Sequence, residues 1–161
     1  MRPGIALIGA LVGMLAGTWL ACSGLPALAA TTERIVVNRF SGVAIEGFDP
    51  VAYFVDGGAE QGTAEFEANL LGAVWRFRNE GNRAEFLAHP EIYGPQFGGY
   101  DPVDIARSVT VAGNPRFFVI SAQRLYLFSR EDNRAAFAAN PERFLYEVGK
   151  RWPALQDKLS Q

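Results

Sequence analysis

The chain repeats itself, and that constrains its fold more than any other feature. Slid by 51 residues, 74–93 (Val-Trp-Arg-Phe-Arg-Asn-Glu-Gly-Asn-Arg-Ala-Glu-Phe-Leu-Ala-His-Pro-Glu-Ile-Tyr) lies over 125–144 with nine of twenty positions identical. Slid by 52, the block Gly47-Phe48-Asp49-Pro50-Val51 lies over Gly99-Tyr100-Asp101-Pro102-Val103. Between these blocks Gly62 and Phe66 match Gly113 and Phe117. Two diverged copies of one unit follow, the first over about 45–97 and the second over about 98–147.

Each copy reads alike. The Gly-aromatic-Asp-Pro block predicts a turn, because Asp bonds the backbone ahead and Pro presets φ. Strands are predicted over 64–70 and 73–78, then over 116–120 and 124–128. Trp75 and Phe77 share one face of the later strand, as do Tyr126 and Phe128 in the sister, which is the period of a half-buried strand. A short helix comes next, with Asn79 and Ser129 as the predicted caps and Phe86 and Phe137 pointing inward. Pro90 and Pro141 each open one further turn. Residues 146–159 predict an amphipathic C-terminal helix interrupted at Pro153, and residues 34–39 (Arg-Ile-Val-Val-Asn-Arg), within the 30–44 segment, a strand for a sheet edge. An isolated hairpin is marginal in water, so the copies must pack together. The predicted fold is α+β: two pseudo-symmetric copies of a turn-β-β-α unit sharing one core, with a C-terminal helix.

Ahead of the repeat stands a leader. Arg2 is its only charge, residues 5–21 are almost unbroken apolar sequence, and Ala27-Leu28-Ala29 supplies a small-residue cleavage site. This is the layout of a secretory signal peptide over 1–29, cut after Ala29, which places the mature chain in the periplasm or outside the cell. The alternatives are an uncleaved anchor and a lipid-modified Cys22. Cleavage removes Cys22, the only cysteine, so the mature chain has no disulfide and no thiolate ligand or nucleophile. It also removes Arg2, which takes the 15 basic side chains to 14 against 17 acidic ones. An acidic domain offers no footprint for nucleic acid or an anionic membrane surface. The expected partner is a small molecule or an envelope protein.

The combination Asn82-Arg83-x-x-Phe86-x-x-x-Pro90-Glu91-x-Tyr93, preceded by Trp75-x-Phe77 and followed by Gly98-Gly99-Tyr100, resembles the YHS-domain proteins. Within them it is most similar to the exported bacterial branch, which opens with a stretch like Gly47-Phe48-Asp49-Pro50-Val51-Ala52-Tyr53-Phe54. The resemblance covers about 45–153. It implies a small metal-associated module with a Phe-Cys-x-x-x-Cys ligand pair at the strand-to-helix turn. In this chain that motif projects onto Arg78 and Asn82, and onto Ser129 and Asn133. Asp101 stands where the exported branch tends to carry a further cysteine. The thiolates that select soft metals are gone at every matching position, so neither a metal site nor a cofactor is expected.

The remaining chemistry is sparse, and no residue is assigned a catalytic role. His89, the only histidine, is expected at a helix end, since Asn140 replaces it in the sister copy. Asp49 and Asp101 are equivalent, so pseudo-twofold packing could bring two carboxylates to one cleft, as a hard-cation site or as the acid and base of an enzyme. The simpler expectation is that each holds a turn, in which case an Asn replacement costs little. Tyr53, Trp75 and Tyr100 join the two aspartates as candidate ligand-binding residues, although strand aromatics, Trp75 and Tyr126 included, are expected mainly in the core. Arg83 and Arg134, also equivalent, are expected to pair with an acid of the opposite copy. The reading that fits is an exported YHS-like binding or accessory module for a small molecule or a hard cation. The alternatives are an enzyme using Asp49 and Asp101, and a purely structural or protein-interaction module. Mass spectrometry of the mature protein is expected to show an N-terminus at Ala30. A lipid-modified Cys22 or an intact Met1 would overturn that expectation.

Overall fold

The structure, a computed structural model, describes residues 34–159. The expected leader, its expected cleavage point near Ala29 and Cys22 lie outside the described residues. Each copy opens on a left-handed turn: Ile45, Glu46 and Gly47 have φ of 41°, 55° and 81°, and Phe97, Gly98 and Gly99 have 55°, 65° and 90°. Such backbone is costly for a residue with a Cβ, yet both copies hold it at a bulky apolar residue, Ile45 or Phe97. The turn leads into a one-turn helix, α1 (Ala52–Val55) or α4 (Pro102–Ile105).

A hairpin follows in each copy, β1 (Thr63–Leu70) with β2 (Ala73–Phe77), and β3 (Asn114–Ser121) with β4 (Arg124–Phe128). Both are antiparallel and both carry a register shift, between Thr63 and Glu67 and between Asn114 and Phe118. The outer strands start one or two residues earlier than the sequence pattern predicts, because pairing resumes ahead of the bulge. Gly62 and Gly113 lie just before those starts. A Cβ on Gly62 would lie 2.4 Å from the Arg76 backbone, and one on Gly113 would lie 2.6 Å from Leu127 Cβ, which accounts for glycine at both repeats.

Helix α2 (Glu80–Ala88) is capped as expected, Asn79 accepting from the Asn82 amide at 2.9 Å. In the sister copy Arg130, not Ser129, is the N-cap of α5 (Glu131–Ala139), and Ser129 is drawn instead toward buried acids. Pro90 opens α3 (Pro90–Tyr93), a single turn. Pro141 opens a continuous helix, α6 (Pro141–Leu159), with no interruption at Pro153. Packing of α6 against α4 and α5, with Val148 fully buried, overrides the proline's preference.

The two hairpins form separate two-stranded sheets. Residues 34–39 do not add an edge strand to either. Among the described residues their one bridge is that of Val37 to Ala44, while Val36 donates to Gly98 O at 2.7 Å and accepts from the Ile45 amide at 3.3 Å. The segment thus runs between the two left-handed turns and takes its backbone partners from both. The free edge of β2 is met by Val43, in a parallel bridge to Val74, and that of β4 by the equivalent Pro95, bridged to Leu125.

The larger core cluster is shared. Leu125 and Leu127 of the second copy pack with Ile45, Tyr53, Trp75, Phe77 and Phe86 of the first. The opposite face of β4, Tyr126 and Phe128, joins Val103 and Phe137 in a smaller cluster within the second copy. Phe86 and Phe137 are both 0% exposed, each packed on the two strand aromatics before it at 4.8 to 5.3 Å. Replacing either with Ala is expected to destabilise the protein by about 3 to 5 kcal/mol in denaturant melts. A change within ~0.5 kcal/mol at one of the two, the range of surface substitutions, would show that the copies are not packed equivalently.

Candidate functional site

Both repeated aspartates are fully buried, and both do more than hold a turn. Asp49 Oδ1 accepts from the amides of Val51 (2.9 Å) and Ala52 (3.4 Å), satisfying donors at the start of α1. Its Oδ2 accepts from the Arg78 amide at 2.8 Å and from Asn82 Nδ2 at 2.7 Å, across the strand-to-helix corner. Asp101 repeats this arrangement. Its Oδ1 caps α4 through the amides of Val103 and Asp104, and its Oδ2 accepts from the Ser129 amide (2.7 Å), Ser129 Oγ (2.8 Å) and Asn133 Nδ2 (2.7 Å).

Residues 78 and 82, and 129 and 133, therefore do converge on one point in each copy. What they grip is a carboxylate. Every group that they direct there is a hydrogen-bond donor, so the residues present do not fit a soft metal. The same count bears on the hard-cation expectation. Each carboxylate oxygen already receives at least two donors and none is exposed, which leaves no lone pair open to an ion. The partners of each aspartate belong to its own copy. Among the described residues no group of three or more His, Cys, Asp or Glu side chains could hold a metal.

The second copy adds a residue that the repeat does not announce. Asp104, only 4% exposed, stands where the first copy has Ala52. Its Oδ2 lies 2.9 Å from Ser129 Oγ and 3.1 Å from Asn133 Nδ2, and its Oδ1 lies 3.2 Å from both Arg107 and Arg130. Two guanidiniums thus offset the second buried acid. The only signal in the sequence is the Asp-Pro-Val-Asp spacing.

Arg83 and Arg134 do not reach the opposite copy. Arg83 pairs with Glu80 at 2.8 Å and Arg134 with Glu131 at 2.7 Å, both three residues back on their own helix. Arg83 Nε is left buried without a partner. His89 ends α2 and lies half-exposed beside Glu91 at 3.8 Å.

The candidate aromatics separate by depth. Tyr53 is buried and crosses to the second copy, donating to Pro115 O at 2.9 Å and meeting Phe118 edge-on at 4.8 Å. Burial, reinforced by the Glu46 and Asp49 charges, pushes its phenol far above the ordinary value, so it remains a donor. Trp75 is also core, its Nε1 donating to Leu70 O at 3.0 Å. Tyr100 is half-buried and heads a row of rings with Trp152 (6.1 Å), Phe97 and Tyr126.

That row flanks the open space of the molecule. Three clefts meet around Ile35. One, of about 330 Å³, is bounded by Leu71, Phe97, Gly98 and Trp152. A second, of about 200 Å³, shares Leu71 and Phe97 and reaches down to Trp75 and Phe86. The third, of about 320 Å³, lies along Val36 and Val37 against Tyr100 and Leu159. Together they form a furrow at the junction of the two copies. Of the five candidate ligand-binding residues, the furrow includes Trp75 and Tyr100, while Asp49, Tyr53 and Asp101 are committed to internal bonds. The wall residues Leu71, Phe97 and Trp152 were not legible as a site, because they come from a hairpin turn, a linker and the C-terminal helix. No family model matches the chain, and no curated protein or solved structure matches it either.

Replacing Asp49 or Asp101 with Asn is expected to cost about 2 to 4 kcal/mol, since an amide turns a donor toward the Arg78 or Ser129 amide and the charge-assisted bonds are lost. This revises the mild effect that a turn residue alone would give. Thermal melts check it, and neither parent nor variants should be stabilised by Ca²⁺ or Mg²⁺. A divalent-dependent rise in the parent alone would restore the cation reading.

Proposed function

We propose that the protein is a YHS-like binding module of the cell envelope, exported by its leader, whose ligand is a small molecule held in the furrow between its two copies. The observation that carries this is the contrast between the two candidate regions. The repeated carboxylates are closed on themselves, whereas the furrow is concave and open, walled by both apolar and polar side chains, with one cleft of about 330 Å³, within the range of about 300 to 1,000 Å³ typical of ligand sites. Assignment to the YHS family rests on the repeated Asn-Arg-x-x-Phe-x-x-x-Pro-Glu pattern and the two Asp-Pro turns. The module is then a diverged member in which Arg78, Asn82, Ser129 and Asn133, which donate to the two buried aspartates, stand at the places where the family's paired metal-binding cysteines would be. Removal of the leader leaves no long apolar segment, and among the described residues no helix could cross a membrane.

Native mass spectrometry of the protein purified from its own envelope fraction tests the reading. A retained small-molecule adduct is expected, lost on Trp152→Ala with the fold intact by circular dichroism. An adduct that survives Trp152→Ala but disappears on Asn133→Ala would return the site to the aspartate cluster.

A further inference from the structure

Leu71 combines two costs that a surface residue ordinarily avoids. Its side chain is 63% exposed, and its backbone holds φ at +55° in the turn joining β1 to β2. Turns of this hand favour Gly, Asn or Asp at that position. The sister hairpin has Ala122 there, at φ +48°, so the geometry does not call for a large apolar group. An apolar side chain on a left-handed backbone is the kind of outlier from which a functional hypothesis starts.

The position of the side chain supplies that hypothesis. Leu71 lines both the 330 Å³ cleft and the 200 Å³ cleft next to it, as does Phe97, which also has a left-handed backbone. Across from Leu71, Phe97 and Trp152 meet edge to face, with centroids 5.5 Å apart and planes at 69°. They form a corner that presents one ring's face beside the other's edge. Gly98 lets the Arg34–Ile35 backbone lie directly against this wall, since a Cβ there would lie 1.7 Å from Arg34 O. The polar side chains on the lining, Arg34 and Gln156, each already have an interaction partner. No acid lines this cleft.

We propose that this corner binds an uncharged planar aromatic molecule, with Leu71 clamping it against Phe97 and Trp152. The assignment rests on the small-molecule reading above and names its ligand class. Ring quadrupoles reward an aromatic guest at such a corner beyond the area it buries, by up to about tenfold in affinity. A saturated guest of the same outline gains only the area.

The test is calorimetric titration of the mature protein with 2-naphthol and with its saturated counterpart, decahydro-2-naphthol, repeated on Leu71→Ala and Trp152→Phe. The expected result is 2-naphthol binding about tenfold more tightly than the saturated alcohol. Leu71→Ala should weaken 2-naphthol binding severalfold with no loss in Tm, because the sister hairpin already accepts Ala. Equal affinity for the two alcohols would overturn the aromatic assignment and leave the furrow as a general apolar site. Failure of both to bind would overturn the furrow reading itself. Concentration-dependent dimerisation in sedimentation velocity, abolished by Leu71→Ala, would instead make this face a contact between protein chains and end the proposal.

Discussion

Each copy is closed by one buried carboxylate. Asp49 joins the start of α1 to the end of β2, and Asp101 joins the start of α4 to the end of β4, across 28 to 33 residues of intervening chain. The interaction is local and long-range at once: one oxygen caps a helix too short to persist alone, and the other fixes the corner from which the next helix departs. That corner sets the direction of α2 and α5, and therefore where Phe86 and Phe137 enter the core. A side chain with two acceptor oxygens fits both places, because the groups bonded to each oxygen are donors. The repeat retains Asp-Pro at both places for this reason.

The copies are equivalent in topology and unequal in burial. β2 alternates as a half-buried strand should, with Arg76 on its outer face paired to Glu67 at 2.8 Å. In β4 the position equivalent to Arg76 is Leu127, and Leu125 and Leu127 fill the first copy while Tyr126 and Phe128 fill the second. One hairpin thus serves two cores. Without it the first copy would lose the apolar layer that covers Trp75 and Phe77, so the unit that folds is the pair.

Much of this was legible in the sequence, and the division is physical. Strand aromatics at period two, the Asn79 cap, the prolines opening α3 and α6 and the inward phenylalanines all depend on near neighbours, and they read correctly. The run Leu125-Tyr-Leu-Phe128 departs from the half-buried strand expected of it, because both of its faces are buried, one in each core cluster. What could not be read depends on partners distant in sequence. Ser129 looks like a cap until Asp101 and Asp104 are placed beside it. Arg83 and Arg134 look like bridges between copies until the helix turn offers Glu80 and Glu131 first. The left-handed turns at Ile45 and Phe97 have no propensity signal at all, because tertiary contacts impose them against preference.

The segment that threads the junction has a bearing on when the molecule becomes whole. Val36 lies ahead of both repeats, yet the carbonyl it bonds belongs to Gly98, beyond the entire first copy. As the chain is synthesised, this segment emerges ahead of both repeats, and the partner of its Val36 amide is made only with Gly98. Its other bond, accepted from the Ile45 amide, is weaker in geometry at 3.3 Å. The junction therefore cannot close until the chain has passed through the whole first hairpin and reached Gly98. A chain stopped short of Gly98 would leave the Val36 amide without its carbonyl, which makes the completed pair distinguishable from its unfinished half by the state of this one segment.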